Sequence, residues 1–358
     1  MDTAADRPRG RRRTELARLL GPRAVTVTRK DTAITAHRSR SATNSPAASK
    51  PAPPGTAPPR ATIDLALLAV AIVWGSSYLA AKEVVAPDGV FAFLVIRLAL
   101  AGAGMALIAA PRLRGVNRTE IGLGMLFGTI LSAVFTLETF GVAMTSASNA
   151  GLIISLTIVM TPILEGFVQH TYLPPTFYGA VVLAVAGVGL LTQPHGFTPP
   201  SRGDLLIAGA AAARAVHITV IARLSEGRTI DSARVTLVQF CTGVVVFSIL
   251  ASMHGRGVGE VAALMTTQSW LLTIYLALVC TVFAFVVQIW AVRSSSPARV
   301  SLVLGTEPLW AAGFGVLLAH DRLAAAGLCG ALLILLGTNW GRIIESRRRR
   351  IDWCQAAA

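Results

Sequence analysis

Of the ionisable residues in the long apolar runs of this 358-residue chain, six are the candidates for chemistry: Arg97, Glu138, Glu165, Arg214, His217 and Glu307. Placing a charge at the centre of a helix in hydrocarbon costs about 2.5–3.5 kcal/mol, so such residues face a cavity or a partner. A few such costs rival the whole net stability of a folded chain, about 5–15 kcal/mol. Glu307 stands directly before Pro308. Proline removes a backbone donor and clashes with the carbonyl four residues back, which opens the helix. Pro162 sets a comparable helix break in another run. A carboxylate beside opened backbone is suited to hold a proton or a cation, and Glu307 is the candidate for proton coupling. Arg214 and His217 are three residues apart and share a helix face. Arg214 is expected to pair with Glu307 across a cavity or to bind an anionic group of a substrate. His217 is a candidate proton relay, since imidazole titrates near neutral pH. A locked ion pair and a packing histidine are the structural alternatives. Arg97 either orients substrate or pins its helix to Glu138, and the structural pair is the preferred reading. Glu165 lies near a helix end, where loop pairing or snorkelling accounts for it.

A second group of residues has the make-up of a binding pocket. Trp74-Gly75-Ser76-Ser77 places an aromatic wall, a backbone gap and two hydroxyls at one level of a run. Apolar surface with few polar groups is what small-molecule sites offer. Gln239, Gln288 and Trp310 extend the list of cavity candidates. Ser148 and Asn149 are expected to cap the start of a helix. Gly124 with Gly128, and Gly337 with Gly341, have the spacing of close helix contacts, and the fifth and tenth runs are a candidate homodimer face.

These residues need long helices to position them, and the chain supplies ten apolar runs. They lie near 63–83, 90–110, 121–141, 149–168, 177–193, 204–223, 235–252, 270–291, 299–319 and 324–344. A helix of about 20 residues crosses a hydrocarbon core of about 30 Å. The composition agrees: 53% hydrophobic, 14% charged, mean hydropathy +0.62. The net charge of +14 does not point to nucleic acid, because 13 of the 32 Lys and Arg crowd into the first 60 residues and four more form Arg347 to Arg350. Arg112, Arg114, Arg118, Arg223, Arg228, Arg234, Arg293, Arg299 and Arg342 fall on the same side as both tails, against only Lys82, Arg202, Arg256 and Arg322 opposite. The positive-inside rule then puts both termini in the cytoplasm of an inner or plasma membrane, and an even number of spans requires them to share a side. The fold class expected is an all-α, multi-pass membrane protein.

The runs divide into two halves that repeat in order. Asp64-Leu65 matches Asp204-Leu205, Arg97 matches Gln239, and Ser155-Leu156 with Thr161-Pro162 matches Ser301-Leu302 with Glu307-Pro308. Five spans per half insert the second half from the opposite side, which is the inverted-repeat plan of secondary transporters. The segments are a basic, Pro-rich cytoplasmic tail over 1–62, repeats over 63–193 and 194–344, and a basic tail over 345–358. The first tail reads as disordered, with a transit peptide or an early start codon as alternatives. The first apolar run begins too late and is too long for a secretory signal. Cys241, Cys280, Cys329 and Cys354 form no Cys-x-x-Cys pair, and three of them are expected to be buried apolar residues. No phosphate loop or zinc motif is present, so no cofactor or metal is expected and a gradient is the energy source.

The residues Trp74-Gly75-Ser76-Ser77, Arg97, Ser146 to Gly151 continuing to Pro162, and Pro297-Ala298-Arg299 continuing to Glu307-Pro308 resemble the EamA-type, ten-helix branch of the drug/metabolite transporter superfamily. The resemblance covers about residues 63–344. It implies an inverted five-plus-five bundle, a central cavity that spans five and ten do not line, and movement of small metabolites. Arg214-Ala215 stands where such proteins often have Trp-Ala, and His320-Asp321 where they have Gly-Glu, so no relative's cargo carries over. The expectation is a secondary carrier, not an enzyme, that exports a small amino-acid-like or amphipathic compound by alternating access. Its partners would be the substrate, the bilayer and a proton gradient. Two rivals are a non-transporting receptor or scaffold and an intramembrane hydrolase using Ser76 or Ser77 with His217.

Overall fold

Apolar runs closed by capping side chains become helices, and the caps set where each begins. A computed structural model describes residues 60–169, 172–191, 200–294, 300, 303–321 and 324–356. The N-terminal tail, Pro297-Ala298-Arg299 and Ser301-Leu302 lie outside the described residues. Helices α1 (Arg60–Val84) and α2 (Val90–Ala109) open the fold, and α2 runs on through a 3-10 turn at Ala110–Gly115. A capping box of Asn117 with Glu120 starts α3 (Arg118–Met144). Ser146, rather than Ser148 or Asn149, caps α4 (Ala147–Ile153), its hydroxyl accepting from the Asn149 amide at 3.0 Å. A 3-10 turn at Ile154–Leu156 leads into α5 (Thr157–Gln169), and α6 (Pro175–Leu191) follows.

In the second half, Ser201 and Asp204 form the capping box of α7 (Arg202–Ser225), and Asp231 caps α8 (Ser232–Met253). Such caps contribute about 1 kcal/mol each. A short helix that the apolar pattern does not foretell, α9 (Val258–Leu264), precedes α10 (Thr267–Ile274). The chain then winds as a π-helix over Tyr275–Phe283 before α11 (Ala284–Ser294). Last come α12 (Glu307–Leu317) and α13 (Ala325–Ala356).

Among the described residues, eight helical stretches are long and apolar enough to cross a membrane: 61–84, 90–115, 118–144, 147–168, 202–225, 232–253, 267–288 and 325–347. The fifth run of the sequence appears as the 17-residue apolar α6. The ninth is described only from residue 303, with α12 as its second part.

Pro308 and Pro162 behave differently. Pro308 stands in the first turn of α12, after turn residues 305 and 306, so the helix is interrupted there as expected. Pro162 lies inside α5 without ending it, and the interruption sits two turns earlier at Ile154–Leu156. Hydroxyls take up carbonyls in and beside that stretch: Thr157 donates to Ile154 at 2.8 Å and Ser155 to Leu152 at 2.6 Å.

Packing joins the two halves. Helix α2 lies on α8, α3 on α7 and α8, α6 on α13, and α1 on α12 and on the α10–α11 rod. Phe93, Phe127, Phe177, Phe240 and Phe247 are fully buried between them. Leu107, Val182, Leu271, Leu332 and similar side chains face outward, where hydrocarbon accepts them. The glycine pairs of the sequence serve contacts within this chain. Gly337 lies against the Ala184 backbone and Gly124 against Val238, so neither is spent on a dimer face. Of the described cysteines only Cys280 is buried, and Cys241 and Cys329 are exposed on helix surfaces, contrary to the expectation that all three are core residues.

Candidate functional site

The interrupted helices and the π-helix converge on one cavity of about 440 Å³. Helix α1 brings Trp74, Ser77 and Tyr78 to it, α2 brings Arg97, and α3 brings Phe135 and Glu138. Ser155 comes from the 3-10 turn, Arg214 and His217 from α7, and Gln288 from α11. The α12 break contributes Gly305, Glu307 and Pro308, and α13 contributes Arg342. Cys280 and Thr281 of the π-helix complete the wall that faces Trp74. A π-helical stretch is common at functional sites because it leaves backbone groups misaligned with the helix ladder. Here the Thr281 hydroxyl donates to the Leu276 carbonyl at 2.8 Å, and the indole of Trp74 donates to the Cys280 carbonyl at 2.8 Å.

The charged groups pair differently from the sequence expectation. Arg214 Nη2 meets Glu138 Oε2 at 2.6 Å, so Arg214 takes the partner expected for Arg97 and does not form an ion pair with Glu307. Helices α3 and α7 pack side by side, which brings Glu138 and Arg214 into register. Glu307 instead accepts from the Tyr78 hydroxyl at 2.9 Å, although Arg214 and Arg342 both act on it through space. Arg97 is left beside the ring of Phe135, with its guanidinium carbon 5.1 Å from the ring centre. Arg342 donates to Asn339 at 3.2 Å, and its guanidinium fills the space where a side chain at Gly305 would stand.

Ser76, Gln239 and Trp310 fall around the cavity rather than in it. His217 Nε2 and Gln239 Oε1 are 3.1 Å apart, so Gln239 holds the histidine and does not itself line the space. Ser76 donates to the Val73 carbonyl and shares a 2.6 Å hydrogen bond with the Tyr275 hydroxyl. Ser77 lines the cavity with its hydroxyl bonded to the Trp74 carbonyl at 2.7 Å. Trp310 packs behind Gly75, where an added Cβ would lie 2.6 Å from Trp310 Cβ. Among the described residues, His217 is bonded to Gln239, and the Ser76 and Ser77 hydroxyls donate to carbonyls of their own helix. Tyr78 and Arg342 are the functional candidates that sequence reasoning missed. Tyr78 is one helical turn past Trp74 on the same face, and that spacing was the available signal. Arg342 was assigned to the loop charges that orient the chain.

A bundle of membrane-crossing helices with interrupted segments around a charged internal cavity is the architecture of a polytopic membrane transporter. The chain belongs to the EamA-like transporter family, whose sequence profile matches residues 61–193 and 201–340, one copy in each half. It is 27% identical over 283 residues to an uncharacterized transporter of Archaeoglobus fulgidus, covering 76% of this chain and 83% of that one. A crystal structure of another protein, 19% identical, superposes with a TM-score of 0.53 over 81% of this chain and 99% of that chain, which supports the fold.

Proposed function

We propose that this chain is a secondary carrier for a small organic metabolite, amino-acid-like or amphipathic, exported by alternating access. The observation that carries the reading is the cavity itself: both halves build it, two interrupted helices border it, and charged side chains line it. Ten spans arranged as two inverted repeats fit the packing, because contacts between halves recur with the halves exchanged. The α3–α7 contact has its counterpart in α1 with the α10–α11 rod, and the α5–α7 contact in α1–α12, while α2–α8 and α6–α13 are their own counterparts. Two such halves can rock about a site between them, which opens it to one side and then the other. In this reading the basic ends face the cytoplasm of the cell membrane.

Glu307 is the proton site. Tyr78 donates to the carboxylate when it is charged, and the α12 break gives it room to exchange a proton with water in the cavity. The test compares compounds secreted by cells making wild-type protein or Glu307→Gln at equal membrane levels. At least one compound accumulates outside only with wild type, and its efflux follows the pH gradient. Flux through Glu307→Gln that keeps the same dependence on the pH gradient removes Glu307 from coupling. No compound that differs between wild-type cells and cells lacking the protein, in secretion or in vesicle uptake, removes the carrier reading.

A further inference from the structure

Counting the charges around the cavity identifies a group that the protein leaves without a counter-ion. Its described lining carries three guanidinium groups, Arg97, Arg214 and Arg342, against two carboxylates, Glu138 and Glu307. One positive charge remains even with both carboxylates ionised. The geometry says which one. Arg214 holds Glu138 at 2.6 Å, and Arg342, although its Nε is likewise buried without a partner, donates to Asn339 at 3.2 Å and lies in the field of Glu307. Arg97 is 9% exposed and forms neither an ion pair nor a hydrogen bond among the described residues, and its Nε is buried without a partner. Its guanidinium lies over the face of Phe135, and Cys280 and Glu138 act on it only through space.

An arginine held in a low-dielectric site with no protein acceptor is costly, and the few waters a cavity admits compensate its charge less well than an anion does. The missing acceptor is therefore something that enters the cavity. We propose that Arg97 is the anchor for a carboxylate on the cargo, which makes the preferred cargo a monocarboxylate with an apolar or aromatic body. The assignment rests on the carrier reading above and replaces Arg214 as the anion-binding residue. A guanidinium fork matches a planar carboxylate with two parallel hydrogen bonds. One uncompensated positive charge calls for one negative charge, so a dianion such as a phosphate monoester overfills the site. The body of the cargo has Phe135, Trp74 and Phe285 to lie against. Trp74 is held in place for this by its bond to the Cys280 carbonyl.

The test uses the full-length chain in lipid nanodiscs and three matched probes: 3-phenylpropanoate, its primary amide and 3-phenylpropylamine. Hexanoate and hexanamide repeat the comparison without the ring. Wild type binds each acid at least about tenfold more tightly than its amide, as a charge-assisted hydrogen-bond pair requires, and the amine most weakly. Arg97→Gln lowers affinity for the acids to that of the amides and leaves amide binding in place. Arg97→Lys keeps a charge without the fork and retains part of the preference. Equal binding of acid and amide by wild type overturns the proposal without any variant being made. So does an acid preference that survives in folded Arg97→Gln, or binding of no probe up to millimolar concentration. Where the acid preference is absent yet wild-type cells export a neutral or cationic compound, the anchor is wrong and the carrier reading stands.

Discussion

Arg214 and Glu138 keep 29% and 14% of their side-chain surface, enough to touch cavity water and too little to be solvated by it. An ion pair in that setting returns little net stability, because desolvation cancels much of its attraction, but removing one partner strands the other. Glu138→Gln is therefore expected to lower the unfolding midpoint in detergent and to abolish flux. The Glu138→Gln/Arg214→Gln double variant is expected to recover most of the lost stability. A double-mutant cycle should read a coupling of about 0.5–3 kcal/mol, and strictly additive losses would show that the two side chains act independently. The cost of a charge in hydrocarbon made these residues legible in the sequence, since Arg97, Glu138, Arg214, His217 and Glu307 all come to one region. Their partners were not legible. Which carboxylate meets which guanidinium depends on the rotation of α3 and α7 about their axes, and apolar runs with no polar face do not report rotation. Arg342 was hidden for a related reason, because a charge near a helix end reads as loop charge until the break at Gly305 shows the space it fills.

At the scale of elements, the cavity depends on places where a helix is not a helix and on places where two helices touch without side chains between them. Gly75 is the clearest of the second kind. A Cβ there would lie 2.6 Å from Trp310 Cβ and 2.8 Å from the Ala311 amide nitrogen. Both obstacles belong to the first turns of α12, next to the break that presents Glu307. Gly75→Val is expected to push α1 from α12 and to cost about 1–3 kcal/mol of stability, as overpacking does. It would also separate Tyr78 from Glu307, so the variant's residual flux should lose sensitivity to the pH gradient before it loses expression. A thermal-stability assay with flux measured at two pH gradients separates the effects, and unchanged values in both would mean that α1 and α12 part without consequence. The long helices were readable from apolar length, but their ends were not: the cap expected at Ser148 or Asn149 is Ser146, and the boxes Asn117-x-x-Glu120 and Ser201-x-x-Asp204 were signals left unused. The break at Pro308 was readable from proline chemistry. The 3-10 turn at Ile154–Leu156 and the π-helix at Tyr275–Phe283 were not. Neither alters the apolar pattern, and each carries hydroxyl-to-carbonyl bonds, from Ser155 and Thr157 at the first and from Thr281 at the second, that apolar length does not report.

For the whole molecule, the ion pairs and hydrogen bonds of the loops sort the chain into two ends. At one, Arg234 donates to the Gly115 carbonyl at 2.6 Å and meets Glu120 at 3.3 Å, and Arg112 lies 3.9 Å from Asp231. These contacts gather the α2–α3 and α7–α8 connections, with Arg114, Arg118 and Arg228 beside them. At the other, Arg256 meets Asp88 at 2.8 Å, Lys82 donates to the Thr145 carbonyl at 2.5 Å, and the Thr145 hydroxyl donates to Asp204 at 2.6 Å. Among the described residues, Lys82, Arg202 and Arg256 are the basic ones there. Arginine-rich connections stay on the cytoplasmic side during insertion. A carrier that exports its cargo against this orientation must admit it from the arginine-rich end and release it past the Asp204 cluster. The orientation can be read with a thiol reagent that does not cross membranes, in a variant whose four cysteines are replaced by alanine. Arg114→Cys and Gly257→Cys each place one thiol on an exposed loop, at opposite ends. Intact cells should label Gly257→Cys and leave Arg114→Cys unlabelled until the membrane is permeabilised. The opposite pattern would put the basic end outside, reverse the path inferred for the cargo and require that charge elsewhere in the chain governs insertion.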